Sequence, residues 1–331
     1  MKPLRLSVLD QAPISEGSSA SQALRNSVDL AQLADKLGYQ RYWVAEHHGT
    51  PALACNAPEA LIGPIAASTK NLRVGSGGVM LPHYSPFKVA ETFAQLAGLF
   101  PGRIDLGLGR APGTDPRTSL ALQRDRQKRQ PDDFPQQLAE LLAYYDGAIP
   151  ADHPFARQGT LFSRLEKPEP WLLGSSAQSA IWAAELGLPY AFADFINSNG
   201  AELATMYRSR FSTASGKRDK PEVIVAVWAL AAETDAEAER LATSAKMLFQ
   251  HFLSGVLIPV PSPEKAGAYL ADNPSPLQQS RRTIVGTPDK VRAGLAAVAK
   301  EYGADEVMVV TICYDHEARR RSYELIASAF K

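Results

Sequence analysis

Short apolar runs alternate with amphipathic stretches along the whole chain. Residues 4–10, 41–46, 72–81, 104–108, 170–173, 190–195, 222–231 and 306–311 are apolar runs of strand length, many of them rich in Val, Ile, Leu and aromatic residues. That composition suits strands covered on both faces. Between them lie helix-like segments. In residues 21–37 the apolar positions are Leu24, Val28, Ala31, Leu33 and Ala34, and Gly38 supplies a stop. Residues 58–68, 87–99, 134–145, 177–186, 200–211, 235–253 and 316–330 read the same way, and a further helix opens at Thr287-Pro288, with Thr287 as its cap and Pro288 in its first turn. Strict alternation of strand and helix predicts a parallel sheet, closed or doubly wound. Eight strands ending on a strand–helix unit favour the closed form, a (β/α)8 TIM barrel with α/β layers. Residues 1–331 then make a single barrel domain with insertions after strands four and seven. The first insertion is the polar stretch 111–131, read as a lid or specificity loop that can hold a short helix; the second is the Pro-rich break 256–276.

Composition narrows the function classes. Among 331 residues, 35 Lys and Arg balance 35 Asp and Glu, and no basic stripe suggests nucleic acid. The cluster Arg124, Arg126, Lys128 and Arg129 is short and reads as solvated surface. Cys55 and Cys313 fit no CxxC spacing, which suits a reducing compartment. No leader-like start or long apolar span is visible, so the expectation is a soluble cytoplasmic protein with no membrane partner.

A parallel barrel builds its chemistry at the C-terminal ends of its strands. Those ends carry Asp10-Gln11-Ala12-Pro13, Glu46-His47-His48, Ser76-Gly77-Gly78, Gly107-Leu108-Gly109-Arg110, Gly174-Ser175-Ser176 and Asp194. The strand-five group suits an anion: small residues, the hydroxyls of Ser176 and Ser179, a helix N-terminus, and Arg110 from the neighbouring strand. The same serines also read as an ordinary helix cap. Gly107 to Gly113 has the spacing GxGxxxG, which is not a nicotinamide fingerprint. No third ligand accompanies His47-His48 at metal spacing, and the pattern does not show which of the two faces the mouth. A GxSxG elbow is absent, while Asp10, Glu46 and Asp194 leave an acid pair open.

Four segments together are more specific than any one. Tyr42 to His48, Val74 to Pro82, Gly102 to Arg110, and Ser175 to Ser179 followed by Trp182-Ala183-Ala184 resemble the bacterial luciferase-like, flavin-dependent monooxygenase family. The likeness covers nearly the whole chain and is nearer the single-chain branch than the light-emitting enzyme. It implies FMN with its phosphate on Arg110, Ser175, Ser176 and Ser179. It implies a ring resting on a cis peptide at Gly77–Gly78, with Ala12 and Pro13 at its edge. It implies His47 as the catalytic group and no metal. Reduced FMN would be a co-substrate supplied by an NAD(P)H-dependent flavin reductase, and O2 would oxygenate a small organic molecule. A homodimer through helices two and three is implied as well; Leu61, Ile62, Phe93 and Leu96 are compatible with such a contact but fit the barrel better. One position departs: where luciferase has a reactive cysteine before the strand-four arginine, this chain has Gly109. An F420-dependent hydride-transfer enzyme, a non-catalytic flavin-binding protein and a barrel hydrolase are the alternatives.

Overall fold

The computed structural model describes residues 4–111, 114–123, 132–159, 166–274 and 282–331. Its strands are β1 (Arg5–Asp10), β2 (Arg41–Val44), β3 (Arg73–Met80), β4 (Ile104–Gly109), β5 (Glu169–Gly174), β6 (Tyr190–Ala193), β7 (Val223–Ala231), β8 (Ile284–Gly286) and β9 (Glu306–Val310). The helices are α1 (Ala20–Leu37), α2 (Pro58–Ser68), α3 (Pro86–Leu99), α4 (Pro116–Leu122), α5 (Phe134–Asp146), α6 (Ala156–Gly159), α7 (Ala177–Glu185), α8 (Ala201–Arg210), α9 (Asp235–Leu253), α10 (Pro263–Asp272), α11 (Pro288–Tyr302) and α12 (His316–Ala329). Strands β1 to β7 pair in sequence order, β7 pairs with β9, and β9 returns to β1. Every one of these pairings is parallel, so the eight expected runs close into an α/β TIM barrel.

Three details differ from the expectation. The ninth strand, β8, pairs with Ala229, Leu230 and Ala231 at the end of β7, beyond the residues β7 shares with β6 and β9. It is too short to carry a period. The Pro-rich stretch is not a continuous break: Ser262 accepts from Lys265 N and Pro263 starts α10, so that proline is a helix opener. Thr287 occupies the N-cap position of α11, but its side chain makes no cap hydrogen bond.

Alternation along each strand sorts side chains into two cores. On β2, Tyr42 and Val44 face the shell between barrel and helices, while Trp43 and the following Ala45 join the cluster that includes Leu9, Trp171, Trp228 and Met308. Leu61, Ile62, Phe93 and Leu96 are buried in the shell of this same chain. Both cysteines are buried and free; burial pushes the Cys313 thiol up to about 11. No helix among the described residues is long and apolar enough to cross a membrane.

Charged residues at the strand starts close the other end of the barrel. Arg41, 4% exposed, donates to Asp105 Oδ2 at 2.8 Å and Glu306 Oε1 at 3.1 Å, and its guanidinium lies 4.6 Å from the Trp171 ring. Arg73 Nε donates to Asp105 Oδ1 at 2.8 Å and Trp43 Nε1 to Asp105 Oδ2 at 2.9 Å. Ser7 also donates to Glu306. These contacts give the buried carboxylates polar partners.

Candidate functional site

The rim is stitched together at the ends of β1, β2 and β3. Asp10 ends β1, points outward and is fully buried. Arg319 from α12 donates to Asp10 Oδ1 at 2.7 Å, as does the Ala12 N–H at 2.7 Å, and Tyr42 donates to the other oxygen. Burial works to raise the Asp10 carboxyl, but the Arg319 guanidinium and these donors outweigh it and hold it below its usual range. The turn this fixes places Ala12 at φ +49°, in the left-handed region that residues with a Cβ rarely enter. The segment before α2 then ties β1 to β2: Ile14 N donates to Ala52 O, Ala54 N to Ala12 O, and His47 N to Cys55 O. Pro13 bridges to Leu53 in the same ladder. Burial of the Cys55 thiol pushes it up to about 12, so it is a packed group rather than a nucleophile.

On β3 the Gly77–Gly78 peptide is cis. Between Gly77 and Val79 the pairing with β4 slips by one residue, leaving Gly78 as a bulge. Both positions demand glycine for local reasons. A Cβ on Gly77 would stand 2.4 Å from Leu9 Cδ1, and one on Gly78 2.7 Å from Gly107 O. The result is a side-chain-free peptide step at the mouth.

Beside it lies the β2 loop. Trp43 and Ala45 face the interior, and His47 continues that phase. Its Nδ1 is buried without a hydrogen-bond partner among the described residues. Burial lowers the His47 imidazole to about 4; a backbone contact with Ala45 works against it, and His48 adds a smaller push downward. At neutral pH it is therefore uncharged, with an unsatisfied ring nitrogen. His48 is engaged differently: its Nε2 lies 2.7 Å from Glu46 Oε1 and its ring meets His83 edge-on. Glu46, 1% exposed, also accepts from Tyr84 Oη at 2.8 Å and from Met80 N at 2.9 Å. The strand-four insertion leans on the same loop. Thr114 Oγ1 donates to His48 O at 2.9 Å, and Gly49 leaves room for Thr118, whose Oγ1 a Cβ there would meet at 2.5 Å. The short helix expected in that insertion is α4, capped by Asp115. Pro112, Gly113 and residues 124–131, with the basic cluster Arg124, Arg126, Lys128 and Arg129, lie outside the described residues.

The strand-five group shows the cap. Ser176 is exposed, sits at the N-cap of α7 and accepts from Ser179 N. Ser179 is buried; its hydroxyl donates to Ser176 O at 2.9 Å and shares a hydrogen bond with Tyr190 Oη at 3.0 Å. Ser175 O accepts from Asn197 Nδ2 at 3.3 Å. Arg110 is exposed, pairs with Asp132 at 3.3 Å and lies 5.7 Å over the Trp182 ring on α7. So β4 and α7 bring Arg110 to the helix whose N-terminus carries the serines, but it rests on Trp182, more than a turn along from Ser176. Asp194, the third rim carboxylate, accepts from Tyr302 Oη at 2.8 Å and pairs with Arg282 at 3.3 Å. Asp10, Glu46 and Asp194 thus each serve as tethers with their own donors, and among the described residues no group of three or more His, Cys, Asp or Glu is arranged to hold a metal ion.

Tyr84, the Met80 N–H and Thr114 were not legible as parts of this site. Only Glu46, three residues past Trp43 in a polar run at a strand end, signalled that a charge would need partners there.

Comparison with known proteins finds relatives along nearly the whole chain. A profile of the family described as luciferase-like monooxygenase matches residues 4–306. The uncharacterized protein YwcH of Bacillus subtilis (strain 168) is 47% identical over 332 residues, with 98% of each chain covered. The N-acetyl-S-alkylcysteine monooxygenase of the same organism is 38% identical, again with 98% of each covered. Among solved structures, apo-MsnO8 superposes with a TM-score of 0.89 at 42% identity, covering 99% of this chain and 98% of its own. The oxygenating constituent of 3,6-diketocamphane monooxygenase from Pseudomonas putida, solved with FMN, has a TM-score of 0.73 at 20% identity, covering 98% and 97%, and so shares the fold.

Proposed function

Because this chain belongs to the luciferase-like monooxygenase family, we propose that it is an FMN-dependent monooxygenase that uses reduced flavin and O2 to oxygenate a small organic substrate. A separate NAD(P)H-dependent reductase supplies the reduced flavin in this reading, and the working form is a cytoplasmic homodimer.

The observation that carries it is the pairing of a neutral, buried His47 Nδ1, without a hydrogen-bond partner among the described residues, with a side-chain-free Gly77–Gly78 step on the neighbouring strand end. A flat ring needs a surface without protruding side chains, and Gly77–Gly78 offers one. Ala12 and Pro13, in the turn after β1, would lie at the edge of that ring in this reading. A phosphate needs charge and donors; the open face of the α7 N-terminus, Ser175, the exposed Ser176 hydroxyl and a swing of Arg110 away from the exposed Asp132 supply them. Ser179 joins only by giving up its bond to Tyr190. The residues present therefore fit FMN.

Bound reduced FMN would supply the electrons that activate O2. The chain's own part is to exclude water, orient the substrate, and hold or move a proton at His47 Nδ1. A neutral imidazole at neutral pH can accept a proton in one step and return it in the next. Thioethers are the first substrate class to offer, since the N-acetyl-S-alkylcysteine relative matches along the whole chain.

Titration of the purified protein with FMN, reduced FMN and F420, followed by mixing with O2 and a thioether panel, tests the reading. We expect saturable binding of FMN species and an oxygenated product. Preferential binding of F420, or tight binding of oxidised FMN with no turnover, would replace it with hydride transfer or with flavin storage.

A further inference from the structure

Two elements of the candidate site, the His47 loop and the Gly77–Gly78 step, sit on different strands, and one side chain spans them. Glu46 adjoins His47, and its Oε2 accepts from the N–H of Met80, two residues past Gly78, at 2.9 Å. Its Oε1 accepts from Tyr84 Oη at 2.8 Å and from His48 Nε2 at 2.7 Å. The carboxylate is fully buried, and the partners named are a main-chain amide, a phenol and an imidazole. Removing it leaves several donors facing a void.

We propose that Glu46 is a positioning residue that sets the spacing between His47 and the Gly77–Gly78 step, by holding the β2 loop to the end of β3. This rests on the reading of His47 and the glycines as the flavin site. The role is one of reach and hydrogen bonding. A glutamine can fill it: its carbonyl accepts from Met80 N, while its amide donates to Tyr84 Oη and to an unprotonated His48 Nε2. An alanine cannot. Without the brace the loop loosens, His47 gains access to water, and oxygen transfer loses its geometry.

The test compares Glu46→Ala with Glu46→Gln. The first readout is the His47 ring titration by NMR in the flavin-free protein. The ionisable groups around the loop are Glu46 and His48 on it, Cys55 and Glu59 before and in α2, and His83 and Tyr84 after β3. In the parent, burial should hold the His47 midpoint down to about 4. In Glu46→Ala its midpoint should climb toward 6.5 by about one unit or more, because burial is what depresses it. The second readout is product formed per reduced FMN consumed, which should fall about tenfold or more in Glu46→Ala and stay within about threefold in Glu46→Gln. Tyr84→Phe removes one donor and should move both readouts the same way by less; if the alanine variant does not fold, this one carries the test. A His47 midpoint and a coupling ratio unchanged in Glu46→Ala, or in Tyr84→Phe where that variant stands in, overturn the proposal. So does a glutamine variant as impaired as alanine. If the parent binds no flavin, the functional reading falls, and the His47 titration alone still decides whether Glu46 braces the loop.

Discussion

The two ends of the barrel handle polar groups in opposite ways. At the end where the strands begin, Arg41, Arg73, Asp105 and Glu306 answer one another, with Ser7 and the Trp43 indole adding donors. At the end where the strands finish, Asp10 and Glu46 have donors too, but among the described residues a buried His47 nitrogen has no hydrogen-bond partner, and the neighbouring Gly77–Gly78 backbone carries no side chains. The charges at the first end pair with one another across the ring. The second end keeps binding capacity in reserve. On the proposed function, stability and chemistry fall to opposite mouths of one ring, the division common to parallel barrels.

Substitutions can break this contrast in a graded way. The largest effect should come from His47→Ala: turnover should drop by about two to four orders of magnitude, the usual share of a positioned acid–base group, while FMN affinity and thermal stability stay near the parent's. Steady-state product analysis beside a flavin titration checks it; a variant that oxygenates normally would remove His47 from the chemistry. Arg41→Met should do the reverse. Leaving Asp105 and Glu306 short of their shared cation should cost about 3–5 kcal/mol in denaturant unfolding, with turnover per folded molecule preserved. A third outcome is set by pH at the end that holds His47. His47 is held near 4 when folded and returns to about 6.5 when unfolded, so the unfolded chain binds more protons between those values. Stability should therefore decline as pH falls through that window, by about 3 kcal/mol in all, and the decline should be missing from His47→Ala. Unfolding curves at several pH values measure the difference.

Much of the ring could be read from the chain because burial on both faces leaves a local mark. The run 222–231 reads as a strand from its composition alone, and Val223–Ala231 is buried throughout. The floor left no such mark. Arg41 and Glu306 are separated by 265 residues, and only closure of the ring brings them together. At the rim, residue types at strand ends pointed to His47, Gly77 and Gly78, but which histidine faces inward depends on strand phase carried past the end of β2, and resemblance rather than pattern chose His47. The serines were ambiguous for a physical reason: a helix cap and an anion cradle use the same hydroxyls and amides, and the structure shows the cap. The Glu46 brace was invisible because its partners across the rim are a main-chain amide at the end of β3 and a phenol just beyond it.

Strand β7 runs on past its neighbours, and that overhang is a mast to which β8 is moored. Between α9 and α11 the described chain is moored twice, by β8 to this spar and by Val260 to Ile14 and Glu16 in the turn after β1, outside the circle of eight staves. Such a fitting can be lengthened, shortened or exchanged without reopening the hoop, so descendants of this barrel could change the molecules they admit by re-rigging one spar.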